Sequence, residues 1–399
     1  MTPGVEERLR KRLDVVHAAG HWRMPRIREG RQAPEQVIDG RRVLAFCSND
    51  YLGLAADPRV TDAARTALER YGLGAGAAHL VNGHTRVHAE LEEDLARFTG
   101  RPRALLFSTG YMANLGVLQT LTGRHDAVLE DRLNHASLID ASRLTGCRVR
   151  RYRHADAGHA GSLLAATAPE QSSIIVTDGV FSMDGDLAPL PALAAAARQR
   201  DAWLMVDDAH GLGVLGAQGG GSCEHFGLSA DEVPILMGTL GKAFGTAGAF
   251  VAGSATLIEG LVQFARTYIY TTAMPAALAA ATRVSLDIAR REGWRREHLQ
   301  ALIKRLQQGF AQLGLPLPAN PTPIQPLILG SSRLASATAA ALFEAGLLVP
   351  AIRPPTVPEG TARLRITLSA SHSEAHVDRL LETLERVLAR AGTAYPQAL

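Results

Sequence analysis

Lys242 is the residue whose type and position most clearly suggest chemistry. The chain holds 42 Lys and Arg residues, of which only Lys11, Lys242 and Lys304 are lysines. Arginine stays protonated and cannot form a Schiff base, so a functional amine is one reason for a lysine to persist here. Lys11 and Lys304 lie in charged helical stretches, whereas Lys242 follows the apolar run 235–240 and lies between glycines. Lys242 is therefore a candidate Schiff-base lysine, and the alternative is an ordinary surface turn lysine.

A carboxylate follows another apolar run. Asp207 comes directly after residues 203–206, Trp-Leu-Met-Val, and opens the segment Asp-Asp-Ala-His-Gly. A carboxylate at the end of a buried strand is costly unless it meets a cation, so we expect a positive partner for Asp207. A protonated heterocyclic nitrogen would serve.

An anion site is predicted after the apolar run 104–107. Residues 108–114, Ser-Thr-Gly-Tyr-Met-Ala-Asn, follow a predicted strand and open a predicted helix. Free amides at a helix N-terminus bind anions, and Gly110 would let a phosphate approach closely. The alternative is a simple helix cap. The chain has no P-loop motif, so a P-loop nucleotide is not the expected ligand.

Three more polar clusters follow predicted strands. Residues 131–137 include His135 at a helix start, where a histidine is more often a cap or surface group than a catalyst. Residues 178–186 hold three aspartates, but glycine and methionine interrupt any EF-hand spacing, so we predict no metal site. The last cluster joins Thr239 to Lys242.

Alternating strands and helices would bring these clusters together. From about residue 85, short apolar runs alternate with helical stretches such as 136–144 and 190–198. The predicted strands are 104–107, 127–129, 148–152, 174–177, 203–206, 235–237 and 249–251. This pattern predicts an α/β fold with a mainly parallel, doubly wound sheet. Ligands bind such sheets at the carboxyl ends of the strands, where the polar clusters lie.

The rest of the chain is predicted to flank this sheet. The elements expected there are a helix over 5–20, a strand over 42–46, helices over 58–71 and 275–289, strands over 327–329, 347–352 and 363–368, and helices over 334–345 and 373–391. We predict three parts: an N-terminal helix and arm (1–45), a large cofactor-binding domain (46–285) and a small C-terminal α/β domain (286–399).

Composition narrows the class of protein. The 399 residues are 46% hydrophobic and 20% charged with a net charge of +3, which is typical of a soluble chain of two or three domains. No basic block is interleaved with aromatics and no apolar run approaches a membrane span, so we expect neither nucleic-acid nor membrane binding. Three scattered cysteines and a charged N-terminus favour the reducing cytoplasm.

One cofactor would use a lysine, an acid and an anion site together. Pyridoxal phosphate needs an amine for its aldehyde, a carboxylate against its ring nitrogen and a site for its phosphate. Lys242, Asp207 and the helix start at Gly110 supply one of each. P-loop nucleotides, nicotinamide cofactors and metals account for fewer of these features.

The same segments resemble a known family. They are similar to the α-oxoamine synthases, which are fold-type I pyridoxal-phosphate transferases with the aspartate-aminotransferase-like fold. The segments that carry the resemblance are 48–53, 131–137, 179–185, 207–211 and 238–245. The resemblance extends in unbroken order over about residues 40–392.

The resemblance implies roles for individual residues. Lys242 would hold the cofactor and transfer the substrate's proton, and Asp207 would pair with the ring nitrogen. His135 would stack on the ring and help position substrate, and His210 would approach the ring hydroxyl. The other implied cofactor-binding residues are Gly110 and Tyr111 at the phosphate, Ser182, Thr239 and, toward a neighbouring subunit, Thr271 and Thr272. The implied substrate-binding residues are Arg23, His135, Thr356 and Arg365, the last for the amino-acid carboxylate.

The resemblance also implies a reaction. Members of the family condense an amino acid with an acyl thioester and release carbon dioxide, as homodimers with shared sites. Segments 324–328 and 351–358 are most similar to members that join L-alanine to a pimeloyl group carried by CoA or a carrier protein, whereas other members use glycine or serine. Residues 76–80, Gly-Ala-Ala-His-Leu, depart from the family's usual glycine-rich pattern near the substrate entrance, which bears on the acyl donor. A lyase or aldolase of the same fold and a non-catalytic cofactor-binding protein are the alternatives.

Overall fold

A computed structural model describes residues 4–168, 170–316 and 320–390. Its strands are β1 (Arg28–Glu29), β2 (Glu35–Ile38), β3 (Arg41–Ala45), β4 (Arg103–Phe107), β5 (Ala127–Asp131), β6 (Arg148–Tyr152), β7 (Ser173–Asp178), β8 (Trp203–Asp207), β9 (Ile235–Thr239), β10 (Ala249–Gly253), β11 (Ile324–Gly330), β12 (Leu347–Leu348), β13 (Ala351–Ile352) and β14 (Ala362–Thr367).

Helices lie between most of these strands. They are α1 (Val5–Ala18), α2 (Pro58–Tyr71), α3 (Arg86–Thr99), α4 (Gly110–Leu121), α5 (Ala136–Leu144), α6 (Ala157–Ala165), α7 (Leu190–Arg198), α8 (Gly221–Phe226), α9 (Ala255–Phe264), α10 (Arg266–Ile269), α11 (Ala276–Arg291), α12 (Trp294–Gln312), α13 (Ser332–Glu344) and α14 (Glu374–Arg390). The predicted start of α2 is confirmed: Asp57 accepts a hydrogen bond from the Arg59 amide at 3.0 Å, and Pro58 occupies the first turn.

Seven strands form the central sheet, in the order β4-β10-β9-β8-β7-β5-β6. Only β10 runs against the rest of this sheet, because it pairs antiparallel with both β4 and β9 while the other pairs are parallel. The carboxyl ends of β4, β5, β7, β8 and β9 therefore meet at one edge. That edge brings the predicted polar clusters together.

Both faces of this sheet are apolar. On β8, Leu204 and Val206 belong to one buried cluster while Met205 belongs to another. Successive side chains of a strand point to opposite faces, so each cluster is the core on one side of the sheet. Helices α3, α6 and α7 cover the first face, and α4, α5 and α9 cover the second. The predicted doubly wound α/β fold is confirmed.

Two smaller sheets use the ends of the chain. Strands β11, β14 and β13 form an antiparallel sheet, and β1, β2, β3 and β12 form another in which β12 runs parallel to β3. The single strand predicted over 347–352 is wrong, because β12 and β13 belong to different sheets. Pro350 lies between them, and a proline has no backbone N–H with which to continue a ladder. The sequence patterns also did not indicate β1, β2, α6, or α8 to α10.

The three predicted domain boundaries stay a prediction. Residues 1–3 and 391–399, including the predicted end of the last helix at 391, lie outside the described residues. Within the described ranges, the helices are all too short or too polar to cross a membrane.

The turn after β9 requires a glycine at position 245. Gly245 has a φ of +64°, and a Cβ there would lie 2.3 Å from the backbone nitrogen of Ala55. Its amide donates a hydrogen bond to the carbonyl of Lys242 at 2.8 Å. Gly245 therefore closes the turn that carries the candidate amine.

We expect Gly245→Ala to destabilise the protein more than Gly227→Ala. Both glycines have a similar positive φ, but no atom lies within 4 Å of a Cβ at Gly227. The control should therefore lose only the backbone preference, about 1–2 kcal/mol, and Gly245→Ala about 2 kcal/mol more through the clash. Urea unfolding followed by circular dichroism at one protein concentration measures both. Equal losses would contradict the close approach of Gly245 to Ala55.

Candidate active site

Polar groups at the carboxyl edge line a cavity of about 200 Å³, here called the strand-end cavity. Its lining residues are Gly110, Tyr111, His135, Ser137, Asp178, Asp207, Ala209, His210, Met237, Thr239 and Lys242. They come from the ends of β4, β5, β7, β8 and β9. Seven of the residues predicted from the sequence are thus brought together.

Lys242 is half-buried, and its amine faces the strand-end cavity. Its Nζ lies 2.8 Å from Nε2 of His210, whose Nδ1 lies 2.7 Å from the hydroxyl of Tyr51. Burial lowers the pKa of Lys242 to about 8, although the negative charges of Asp207 and Asp178 oppose the shift. The amine can therefore lose its proton near neutral pH, as a nucleophile or base requires.

Asp207 ends β8 on the same face as Met205, two residues earlier. Its Oδ2 accepts a hydrogen bond from Nδ2 of Asn114 at 2.8 Å, and its Oδ1 accepts one from the amide of Ala209 at 3.1 Å. Asn114 was not predicted as a site residue. An asparagine in the mostly apolar helix α4 was the available signal, since a buried amide needs partners.

Asp178 lies beside Asp207, because the two residues are registered partners on β7 and β8. Burial and the negative charge of Asp207 raise the pKa of the Asp178 carboxyl well above its ordinary range. Asp178 also accepts a hydrogen bond from the backbone amide of His135 at 2.6 Å. In the sequence, Asp178 was distinguished only as a member of the polar cluster 178–186.

His135 begins α5 with its ring held in place. Its Nδ1 lies 2.8 Å from Oγ of Ser137 and accepts the Ser137 amide at 3.3 Å. The amide can only donate, so Nδ1 carries no proton and the neutral ring carries its proton on Nε2. Burial lowers the pKa of His135, while nearby Asp207 opposes that shift.

The start of α4 offers amides to an anion. The side-chain hydroxyl of Thr109 accepts a hydrogen bond from the Met112 amide at 3.2 Å, and the backbone carbonyl of Thr109 accepts one from the Ala113 amide. The amides of Gly110 and Tyr111 have no acceptor in the part of the chain that the structure describes. Both residues line the strand-end cavity, so their free amides can bind an anion inside it.

Arg365 reaches the same region from β14. Its Nε donates to the carbonyl of Ser182 at 2.6 Å, and its Nη1 and Nη2 lie 3.3 Å and 3.4 Å from Oδ1 of Asn49. Ser182 itself does not line the cavity. Thr239 does, and its hydroxyl donates to the carbonyl of Gly248 at 3.2 Å.

Four more predicted residues lie outside the cavity lining, in addition to Ser182 and Arg365. Arg23 is exposed in the segment after α1, and Thr356 is exposed in the loop between β13 and β14. Thr271 is half-buried and Thr272 is exposed, and the Thr272 carbonyl accepts a hydrogen bond from the Ser108 hydroxyl at 3.4 Å. The pair 271–272 therefore lies beside the helix start that Ser108 precedes.

A larger groove of about 740 Å³ lies elsewhere, between α2, α3 and α11. Its charged side chains pair with each other, since Arg283 contacts both Glu90 and Asp94. Its lining contains no lysine and no histidine, so the smaller strand-end cavity is the candidate site.

His154 ties together the loops that carry His135 and Ser182. Its Nδ1 lies 3.1 Å from Asp131, at the end of β5, and its Nε2 lies 3.0 Å from Asp186, in the loop after β7. Burial opposes the charged imidazole, but hydrogen bonds to both carboxylates and their charges raise its pKa to about 10. His154 is thus a cationic clamp behind the site.

Comparison with protein families gives one match over most of the chain. The family model described as aminotransferase class I and II matches residues 41–384. Among curated proteins, the 8-amino-7-oxononanoate synthase of Thioalkalivibrio sulfidiphilus is 64% identical over 378 residues, which are 95% of this chain and 96% of that protein.

Solved structures share the whole fold. A serine palmitoyltransferase from S. paucimobilis with PLP and myriocin bound has a TM-score of 0.92 at 30% identity, covering 97% of this chain and 98% of that one. An 8-amino-7-oxononanoate synthase from Francisella tularensis has a TM-score of 0.77 at 32% identity. The match covers 88% of this chain and 99% of that one.

We expect His154→Gln to cost stability in a pH-dependent way. The folded pKa of His154 lies above that of an unfolded histidine, so its contribution is complete below about pH 6.5 and is lost as pH rises through about 10. The loss at about pH 6 should be on the order of 3 kcal/mol, because two carboxylates lose their cation. Urea unfolding at about pH 6 and about pH 10 measures it.

The matched control is His125→Gln at an exposed position. It should change stability little at either pH. A loss for His154→Gln that is the same at both pH values would show that the clamp is not charged in the folded protein.

Proposed function

This chain belongs to the aminotransferase class I and II family, and we propose that it condenses L-alanine with a pimeloyl thioester. The products are 8-amino-7-oxononanoate, carbon dioxide and a free thiol, in a step of biotin biosynthesis, and the acyl carrier is CoA or a carrier protein. The observation that carries this proposal is the 64% identity to a protein named 8-amino-7-oxononanoate synthase, over 96% of that protein.

The strand-end cavity fits pyridoxal phosphate. Lys242 is an amine that deprotonates near neutral pH, Asp207 is a carboxylate with no cation hydrogen-bonded to it among the described residues, and Gly110 and Tyr111 offer free amides. These would hold the aldehyde carbon, the ring nitrogen and the phosphate, respectively. When bound, this cofactor supplies a carbonyl for amines and a protonated ring that accepts electrons.

Lys242 is proposed to move the proton of the amino acid. A lysine with a pKa of about 8 is partly neutral near pH 7, so it can take the proton from Cα and return one after carbon dioxide has left. His210, at 2.8 Å, holds the amine in position and would approach the ring hydroxyl. His135 would lie against the ring, with its orientation set by Ser137.

Other residues are proposed to bind the substrates and the remaining cofactor groups. Arg365 is buried and offers a guanidinium to the alanine carboxylate, which suits a bidentate pair. Ser182 and Thr239 are assigned to cofactor contact. Arg23 and Thr356 are assigned to the acyl substrate, and the exposed positions of both leave them free to meet a long thioester.

The assembly is proposed to be a cytoplasmic homodimer. Thr271 and Thr272 would reach the phosphate of a neighbouring subunit's cofactor. Large apolar side chains are exposed beside them, with Tyr270 71% and Val81 78% accessible, and the backbone of Ala78 bridges to Thr272. Such an exposed apolar patch supports a subunit interface there. The three cysteines are free thiols, which suits the cytoplasm.

Borohydride treatment of the cofactor-loaded protein should fix the cofactor on Lys242. Peptide mass spectrometry will locate the label, and with three lysines in the chain the assignment is unambiguous. Lys242→Arg should remove the label and lower turnover about a hundredfold or more, because arginine can neither form the Schiff base nor act as the base. The exposed control Lys304→Arg should keep both, and a label on Lys304 in the wild-type protein would refute the assignment.

A panel of substrates tests the reaction. Release of free thiol is followed with L-alanine, glycine or L-serine against pimeloyl-CoA, a pimeloyl carrier protein or acetyl-CoA. Alanine with a pimeloyl donor should be fastest. Faster reaction of glycine with acetyl-CoA would replace the proposed substrate pair with another of the family. Turnover without any thioester would indicate a lyase or aldolase, and no spectral change with any amino acid would indicate a binding protein.

A further inference from the structure

A chain of hydrogen bonds extends from Lys242 to a tyrosine outside the cavity lining. Lys242 Nζ lies 2.8 Å from His210 Nε2, and His210 Nδ1 lies 2.7 Å from the Tyr51 hydroxyl. The Tyr51 hydroxyl lies 3.2 Å from Oδ1 of Asn49. Tyr51 is fully buried in the segment between β3 and α2. The Tyr51 hydroxyl is therefore separated from the candidate base only by the imidazole ring of His210.

His210 carries a single ring proton. It is buried, and the positive charges of Lys242 and Arg365 add to the effect of burial, so its pKa lies well below the ordinary value. A neutral imidazole donates from one nitrogen and accepts at the other. The hydrogen bond between His210 Nε2 and Lys242 therefore changes direction with the tautomer: Nε2 accepts when the proton is on Nδ1, and Nε2 donates when the proton is on Nε2. Tyr51, which contacts Nδ1, can favour one tautomer over the other.

Two hydrogen-bond patterns are chemically consistent. In the first, His210 Nδ1–H donates to Tyr51, the Tyr51 hydroxyl donates to Asn49, and His210 Nε2 accepts a proton from protonated Lys242. In the second, the Tyr51 hydroxyl donates to Nδ1, and Nε2–H donates to neutral Lys242. A protonated lysine has no lone pair, so only the first pattern is compatible with it.

Arg365 selects between these patterns through Asn49. A guanidinium only donates, so the Asn49 atom that lies 3.3 Å and 3.4 Å from Arg365 Nη1 and Nη2 is the carbonyl oxygen. The same oxygen is the one that meets Tyr51. It can only accept, which directs the Tyr51 proton toward Asn49 and leaves the Tyr51 lone pairs to accept from His210 Nδ1.

We propose that Tyr51 is a positioning residue that fixes the ring and tautomer of His210, and thereby sets the direction of the hydrogen bond between His210 and Lys242. The inference rests on the proposed function for its effect on turnover, but not for its effect on the amine. The charged groups facing Lys242 are Asp207, Asp178 and Arg365, and Tyr51→Phe, the variant used to measure the effect on the amine, replaces none of them.

Tyr51→Phe tests the hydroxyl while keeping the ring. The full-length protein, freed of cofactor with hydroxylamine, is labelled with ¹³C at the lysine Cε and titrated by NMR. Three lysines give three signals, and Lys242→Arg identifies the relevant one. The wild-type midpoint should lie near 8. It should fall by about half a unit to one unit in Tyr51→Phe, because His210 becomes a weaker acceptor for the protonated amine.

The matched control is Tyr152→Phe. Tyr152 is also buried and loses a hydroxyl, but that hydroxyl donates to the Val176 carbonyl at 3.4 Å and not to His210 or Lys242. This control should leave the Lys242 midpoint unchanged. Coincident titration curves for the wild-type protein and Tyr51→Phe would overturn the proposal.

Asn49→Leu tests the direction of the network. Without the Asn49 oxygen, the Tyr51 hydroxyl has His210 Nδ1 as its acceptor, so the histidine proton should move to Nε2. Protein with ¹⁵N-labelled histidine reports this directly: protonated Nδ1 in the wild-type protein near pH 7 and protonated Nε2 in Asn49→Leu. The same tautomer in both proteins would refute the network, even if Tyr51→Phe were too unstable to titrate.

Turnover of the cofactor-loaded protein gives a separate readout. Tyr51→Phe should lower kcat about three- to tenfold with little change in KM for alanine, since Tyr51 does not line the strand-end cavity. If the Lys242 midpoint were the same in Tyr51→Phe and in the wild-type protein, the role of Tyr51 would be refuted, whichever reaction the protein catalyses. A titration shift without alanine turnover in the wild-type protein would instead leave Tyr51 in place and refute the proposed function.

Discussion

The partial burial of one amine beside two carboxyl groups is the interaction on which this site depends. Lys242 lies in a cavity beside Asp207 and Asp178, with His210 in hydrogen-bond contact. Burial disfavours the charged amine and the carboxylates favour it, and the balance lets either protonation state exist near neutral pH. Only the carboxyl edge can hold such a group, because both faces of the sheet are filled by apolar side chains.

The two aspartates have different parts in that balance. They are registered neighbours on parallel strands, so their side chains project from the same face. Two buried like charges repel each other, and burial together with the charge of Asp207 raises the pKa of the Asp178 carboxyl well above its ordinary range. The pair therefore presents less than two negative charges to Lys242. Asn114 and the amide of Ala209 hydrogen-bond to Asp207 and hold its carboxylate at the cavity.

Charged side chains outside the cavity lining connect the loops at the carboxyl edge. His154 joins the loops after β5 and β7, while Arg363 and Arg365 extend from β14 to the segment 182–184. The C-terminal sheet thus contacts the loop after β7 through two buried guanidiniums. The site is built from five separate strand ends. These contacts between loops keep the distances between its groups fixed, because a loop that moved alone would displace one group relative to the others.

The sequence by itself determined the strands, their apolar faces and the polar segments that follow them. Period-two and near-continuous apolar runs depend on local side-chain placement, so a linear pattern carries them. Lys242 and Asp207 could be predicted as an amine and an acid because each is a chemical exception in its surroundings. The boundary at Pro350 could not, since strand membership there depends on which distant strand is available to pair.

Only the tertiary structure decided which polar residues meet. Asn114, Ser137 and Asp178 lie far apart in the sequence and look ordinary there, yet they orient Asp207 and His135. Tyr51 reaches His210 across 159 positions of the chain. Hydrogen bonds between side chains depend on distances of a few tenths of an ångström, and those distances are set by packing rather than by local pattern. Chemistry could therefore be inferred from residue types, but the partners of each group could not.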